Sequence, residues 1–215
     1  MYSRNNPSPR YQALGKMYRE MHVEGEKFLG IPASETFPGL SLPPQAGRIK
    51  RLIDLTGAET VLDYGSGKGK QYESPIDVPG EGRFDSVLDY WDVTVECYDP
   101  SYAPFSKLPK GTFDGVISTD VLEHCPEEDI PWIVDEIFAY AEKFVFANVA
   151  CYPARKRLPN GENAHCTIQP PEWWEAILTA SAARKPGIRM EFWVQTQEQG
   201  PAGLQLVERR IANFD

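Results

Sequence analysis

The chain reads as an α/β protein: a mostly parallel sheet, closed by a C-terminal antiparallel hairpin and preceded by an N-terminal helical cap. Three stretches carry that expectation. Glu59 to Gly69 is a short apolar run, an acid, then three glycines at every second position. Phe113 to Pro126 is a second apolar run, ending in a polar loop before an acidic helix start at Glu127-Glu128-Asp129. Ile188–Gln195 and Leu204–Ile211 alternate apolar and polar residues on either side of Gln199-Gly200-Pro201, the pattern of a hairpin. The 215 residues fit one domain with appendages, since about 100–200 residues per domain is usual. The expected division is an N-terminal extension and cap, 1–44, and a main domain, 45–215.

Residues 1–10 are polar and rich in Pro and Asn, and are expected to be mobile. From Tyr11 to Leu29, the residues Leu14, Met17, Tyr18, Met21 and Phe28 recur at helical spacing. They predict an amphipathic helix leaning over the carboxyl edge of the sheet. Gly30 to Pro44 carries too many prolines and glycines for regular structure. Pro43 and Pro44 then suit a helix start, with Ile49, Leu52, Ile53 and Leu55 as its apolar face up to Gly57.

Val61 and Leu62 are the strand signal of the first stretch, followed by Asp63, Gly65, Gly67 and Gly69. Glycine tolerates positive φ and has no Cβ to keep a ligand from the main chain. A strand feeding such a turn opens a Rossmann-type crevice at its carboxyl end. The spacing excludes two ligands. Lys70 stands where a dinucleotide fingerprint needs its third glycine, and no G-K-[ST] completes a phosphate loop. What remains is D-x-G-x-G-x-G, whose carboxylate repels a pyrophosphate and suits a cationic amine. This run resembles motif I of the class I S-adenosylmethionine-dependent methyltransferases.

Pro75, Pro79, Gly80 and Gly82 break the helix expected next, and Phe84–Trp91 can be helical. Val93 to Asp99 is a β-branched run ending in an acid, where a carboxylate can accept from both ribose hydroxyls. Ser101–Gly111 has little room for a helix and a strand, so the third strand is expected to be shortened or absent. Phe113-Asp114-Gly115-Val116, leading to Asp120-Val121-Leu122-Glu123-His124, resembles the same family's fourth-strand motif. Ile130–Ala141 reads as a helix burying Trp132, Ile133, Ile137 and Phe138, and Phe144–Val149 as a buried strand. A loop from Cys151 to Gln169 holds Arg155-Lys156-Arg157 and His165-Cys166; a Pro-started helix with Trp173, Trp174, Ile177 and Leu178 follows. The resemblance covers about residues 45–212 and includes the closing hairpin.

The resemblance implies a Rossmann-like fold and transfer of a methyl group from S-adenosyl-L-methionine to a small-molecule acceptor. Asp63 would hold the cofactor's amine, directly or through water, with Gly65, Gly67 and Gly69 passing close beneath it. Asp99 would hold the ribose, and Thr119 and Asp120 would complete the floor. A general base would help a hydroxyl or carbon-acid acceptor, whereas a carboxylate or neutral amine acceptor can do without one; His165 is the first candidate, His124 the second, Tyr18 or His22 the third. His124-Cys125 and His165-Cys166 could supply a mixed thiolate–imidazole metal set, but neither pair has standard ligand spacing, so no metal is expected. The basic run at 155–157 could steer an anionic acceptor.

A net charge of −9 weighs against nucleic acid as partner. The family's catalytic motif for DNA-base amines, an Asn/Asp-Pro-Pro-aromatic run after the fourth strand, is missing, since Asp120-Val121-Leu122-Glu123 stands there, and this argues against amino-methylation of DNA bases. An RNA methyltransferase and a non-catalytic protein that binds the cofactor in a regulatory role are the alternatives. Four widely spaced cysteines read as reduced thiols. No stretch approaches the ~20 apolar residues of a membrane span, and the N-terminus has no secretory pattern. A cytoplasmic protein with no membrane partner is expected.

Overall fold

Side chains on successive strand residues point to opposite faces of a sheet, and here both faces are apolar. Leu62, Val116, Val145 and Ala147 pack on one side, and Val61, Ile117, Phe144 and Phe146 on the other. A sheet with two such faces must be covered by helices on both. In the computed structural model, which describes residues 1–200 and 203–214, it is. Helices α4 (Ile130–Tyr140) and α5 (Pro171–Ala183) cover the first face; α2 (Ala46–Thr56) and α3 (Val87–Trp91) cover the second.

The main sheet is built from β1 (Thr60–Tyr64), β4 (Thr94–Tyr98), β5 (Phe113–Thr119), β6 (Ala141–Ala150), β7 (Arg189–Gly200) and β8 (Gly203–Ala212). Its order is β4-β1-β5-β6-β7-β8. Every neighbouring pair is parallel except β7 and β8, which form the C-terminal antiparallel hairpin. Pro201 of the expected turn lies outside the described residues. The crossover after β1 passes over one face and that after β5 over the other, so the direction of winding switches between these two strands. Loops at the carboxyl ends of strands diverge at such a point and leave a crevice.

The irregular stretches follow their prolines. In place of a helix after the glycine loop there is a 3-10 turn, Lys70–Tyr72, and then a separate hairpin of β2 (Ile76–Val78) and β3 (Gly82–Phe84). No strand lies beyond β4 among the described residues; 99–112 holds only a 3-10 turn at Ala103–Phe105. Helix α1 runs Pro9–Glu24, earlier than expected. Ser8 Oγ accepts from the Tyr11 N–H (2.9 Å), Pro9 opens the first turn, and Gly25 at φ 90° ends the helix. Phe28 therefore falls outside it and is exposed, as is Leu55 on α2.

Residues 1–10, expected to be mobile, are tied down. The Arg4 guanidinium pairs with Glu136, donates to Tyr64 Oη (2.7 Å) and lies 4.8 Å from the Trp132 ring centre. The Ser8 N–H donates to Asp129 Oδ1 (3.1 Å). All four cysteines are free and half-buried. Among the described residues no helix is long and apolar enough to cross a membrane.

Candidate functional site

A cavity of about 820 Å³ opens at the switch between β1 and β5. Its floor is made by the loops after β1, β4 and β5, its far side by residues 152–165, and its near wall by α1 and residues 31–41. The expected site residues divide here. Gly65, Gly67, Asp99, Thr119, Asp120, His124 and His165 all line it; Asp63 and Gly69 lie behind the wall.

Gly65 (φ 92°) and Gly67 (φ 59°) hold backbone conformations that favour glycine. The close neighbours are parts of the chain itself. A Cβ on Gly65 would lie 2.4 Å from a Val121 methyl, and one on Gly67 would lie 3.0 Å from the Phe37 carbonyl oxygen. Gly69 (φ 68°) is packed against Phe105 and Cys97.

Asp63 shares the strand face of Val61, which points toward Tyr72 and away from the cavity. It is 1% exposed. Its Oδ2 accepts from Tyr72 Oη (2.8 Å) and Gln71 Nε2 (3.1 Å), and the same amide donates to the Ser66 carbonyl (3.2 Å). Asp63 thus braces the glycine loop from behind. Burial pushes its pKa up to about 7, against the lowering effect of its two donors and with the Asp99 charge adding to the rise.

Asp99, at the end of β4, enters the cavity. Its Oδ2 accepts from the Gly67 N–H (3.0 Å) and its Oδ1 from the Ser101 N–H (2.7 Å). Burial raises its pKa, and these backbone donors partly oppose the rise. His22 Nε2 stands 3.9 Å from Oδ2. Burial, with the nearby Lys68 charge, pulls His22 down to about 4, so it is neutral at pH 7. Lys68 Nζ donates to the carbonyls of His22 (3.1 Å) and Ala33, and Lys70 Nζ to that of Ser34 (2.6 Å). These two lysines latch the near wall onto the glycine loop. On the β5 side, Ser41 Oγ donates to the Thr119 carbonyl (3.2 Å). Asp120 adopts φ 60° and keeps about half its side chain exposed.

Beside Asp120 the two histidines meet edge to face, with ring centres 4.7 Å apart. His165 Nδ1 lies 2.6 Å from the Tyr152 carbonyl, and His124 Nδ1 lies 2.9 Å from that of Ala164. A carbonyl only accepts, so Nδ1 is the donor in both contacts, and a ring with a single proton keeps its lone pair on Nε2. Tyr18 Oη is 2.9 Å from both the Ala164 carbonyl and His124 Nδ1. His165 Nε2 is 3.8 Å from Asp120 Oδ1. One ligand atom each from Asp120, His124 and His165 lies within 4.8 Å of the others. Burial holds His124 below its ordinary pKa.

Glu123 is fully buried; Oε1 accepts from the Ala150 N–H (2.6 Å), and Oε2 has no hydrogen-bond partner. Burial first, and Asp120 second, push its carboxyl well above the usual range. Cys125 and Cys166, considered above as partners of these histidines, do not fit a thiolate set. Neither contributes a sulfur to the cluster of Asp120, His124 and His165, and Cys125 Sγ instead lies 3.6 Å from the Val121 carbonyl.

Of the basic run, Arg155 and Lys156 line the cavity, while Arg157 turns to the Gly161 carbonyl (3.0 Å). Sequence reasoning missed Gln71, Tyr72, Phe37 and Glu123. Glu123 alone carried a signal, as an acid between the apolar Leu122 and a histidine.

No known family model matches the chain, and no curated protein is significantly similar to it. Fold and site define an α/β protein with a cavity at the carboxyl edge of a mostly parallel sheet.

Proposed function

We propose that residues 45–215 are a Rossmann-like methyltransferase domain of class I, with 1–44 as its cap, and that the cavity binds S-adenosyl-L-methionine for methyl transfer to a small-molecule acceptor. One observation carries this reading. Asp99 ends the strand next to β1 with its carboxylate inside the glycine loop, one oxygen on the Gly67 N–H, at the switch point of the sheet. Doubly wound sheets hold nucleoside ligands there, with a strand-end acid on the ribose. The volume, about 820 Å³, falls within the roughly 300–1,000 Å³ of small-molecule sites.

The bound cofactor supplies a methyl group already activated by its sulfonium. The chain's own residues position it and exclude water. Asp99 keeps lone pairs beyond those used by Gly67 and Ser101, and neutral His22 beside it adds no competing charge. Asp63 acts on a ligand only through the loop it braces. The Lys68 and Lys70 latch closes the near wall. Asp120, His124 and His165 form the polar end of the cavity, where a polar atom of the acceptor would sit.

Calorimetric titration with S-adenosylhomocysteine tests the reading. Micromolar-range binding, weakened at least tenfold in Asp99→Asn with the melting temperature retained, is expected. Absence of binding by the folded wild-type protein sinks it. A protein that holds the cofactor without turnover is the second reading, favoured by Phe37 and Val121 pressed against the glycine loop. Tight binding with no transfer of labelled methyl to any acceptor selects it.

A further inference from the structure

We infer that Asp120, His124 and His165 form a binding site for one divalent metal ion of the zinc, manganese or iron class, open toward the cavity. The residues come from two loops, 120–124 after β5 and the 151–169 connection, and both histidines are oriented from behind. Each gives its Nδ1 proton to a backbone carbonyl, at Tyr152 and Ala164. That outer contact is typical of metal-ligating histidines, because it fixes the ring and leaves the Nε2 lone pair forward. The third member, Asp120, is a carboxylate 3.8 Å from His165 Nε2.

One nitrogen of each imidazole and one carboxylate oxygen of Asp120 lie within 4.8 Å of one another, three potential acceptors in one place. Acceptors so arranged need a cation or a donor between them. Lys156, a lysine of the cavity wall whose charge acts on Asp120 and His124 from a distance, makes no hydrogen bond to them; its Nζ lies 4.9 Å from the Phe37 ring.

Two histidines and one carboxylate are a donor set for zinc and for non-haem iron, and leave coordination positions free. Metal–ligand bonds of about 2.1 Å put ligand atoms roughly 3.0–3.4 Å apart. The cluster therefore closes by about an ångström on binding, chiefly at Asp120, whose side chain is half exposed. The free positions face the cavity, where water or an oxygen atom of a bound molecule completes the shell. That this oxygen belongs to a methyl acceptor rests on the function proposed above; the metal site does not.

The test uses the full chain, stripped with chelator and titrated with zinc and manganese in calorimetry, without any cofactor. Cobalt(II) serves as the spectroscopic probe. One ion per chain is expected, with nitrogen- and oxygen-type visible bands and no thiolate charge transfer. Asp120→Asn and His165→Gln should each weaken binding by at least about tenfold. Asn adopts positive φ readily, so Asp120→Asn should melt as the wild type does when metal-free. Wild-type protein that binds no ion, or binds it no better than folded Asp120→Asn, overturns the inference, whether or not S-adenosylhomocysteine binds.

Discussion

Replacing Asp63 by Asn removes a titrating group from a buried position while keeping an oxygen to accept from Tyr72. Folded Asp63 holds its proton up to about pH 7, whereas the unfolded chain releases it near 3.8. Between those values the folded state binds the extra proton, so this group's contribution to stability falls as pH rises through the window and is level above it. From about pH 5 to about pH 8 the wild type crosses two pH units of that window, at about 1.4 kcal/mol each. The amide that replaces the carboxyl has nothing to titrate. The stability of Asp63→Asn relative to wild type should therefore increase by about 3 kcal/mol over this range. Urea unfolding of both proteins at four pH values measures it, and taking the difference cancels every other titrating group. Parallel curves would refute the reasoning, since they would mean that Asp63 is hydrated or charge-paired in the folded protein. If S-adenosylhomocysteine binds, Asp63→Asn should weaken it only modestly, because Asp63 stands behind the wall.

Two further substitutions probe the frame of the site. Arg4→Met strands Glu136 beside Tyr64. Breaking a buried pair costs about 3–5 kcal/mol; here both side chains keep some exposure, 24% and 15%, so about 2 kcal/mol is expected. Arg4→Lys should rescue little, because an ammonium cannot reproduce the guanidinium fork. Denaturant melts check both, and a loss below about 0.5 kcal/mol would mean that the N-terminal tie is idle. Gly115→Ala places a Cβ 2.2 Å from the Phe144 ring and should cost about 1–3 kcal/mol by overpacking. Phe144→Leu in the same chain should recover part of that loss; if the two costs simply add, the contact is not the cause.

Much of the sheet was legible because its signals are local. The alternation in β7 and β8, the apolar runs of β1, β5 and β6, and the prolines at 75 and 79 each act within a few residues. The missing strand beyond β4 followed from chain length alone. The N-terminal ten residues were illegible for the opposite reason: their order comes from Glu136 and Asp129, more than a hundred positions away. Within the site, the acid at the end of β4 was readable and its contact with Gly67 matches its position. Asp63 shows the limit. Its presence was evident, but its direction depends on strand parity and on Tyr72 and Gln71, which carry no signature. The convergence of His124 and His165 with Asp120 likewise depends on how a connection of some forty residues returns to β5, which no local spacing records.

The near wall of the cavity has a consequence for synthesis. Arg4 reaches Glu136, Ser8 reaches Asp129, Tyr18 reaches Ala164, and Leu14 and Met21 bury against Leu158. Helix α1 also packs on Phe37 and Tyr102, but its cluster with Leu158 and Ala164 needs chain that is made well after β6. Contacts so distant in sequence form late, because loop closure must precede them. Until residue 164 has been made, α1 can hold only part of its contacts, while β1, β5 and β6 are already in the chain. The far side of the cavity, residues 152–165, is made at the same stage, so near and far walls become complete together, and a ligand that touches both can bind only after that point.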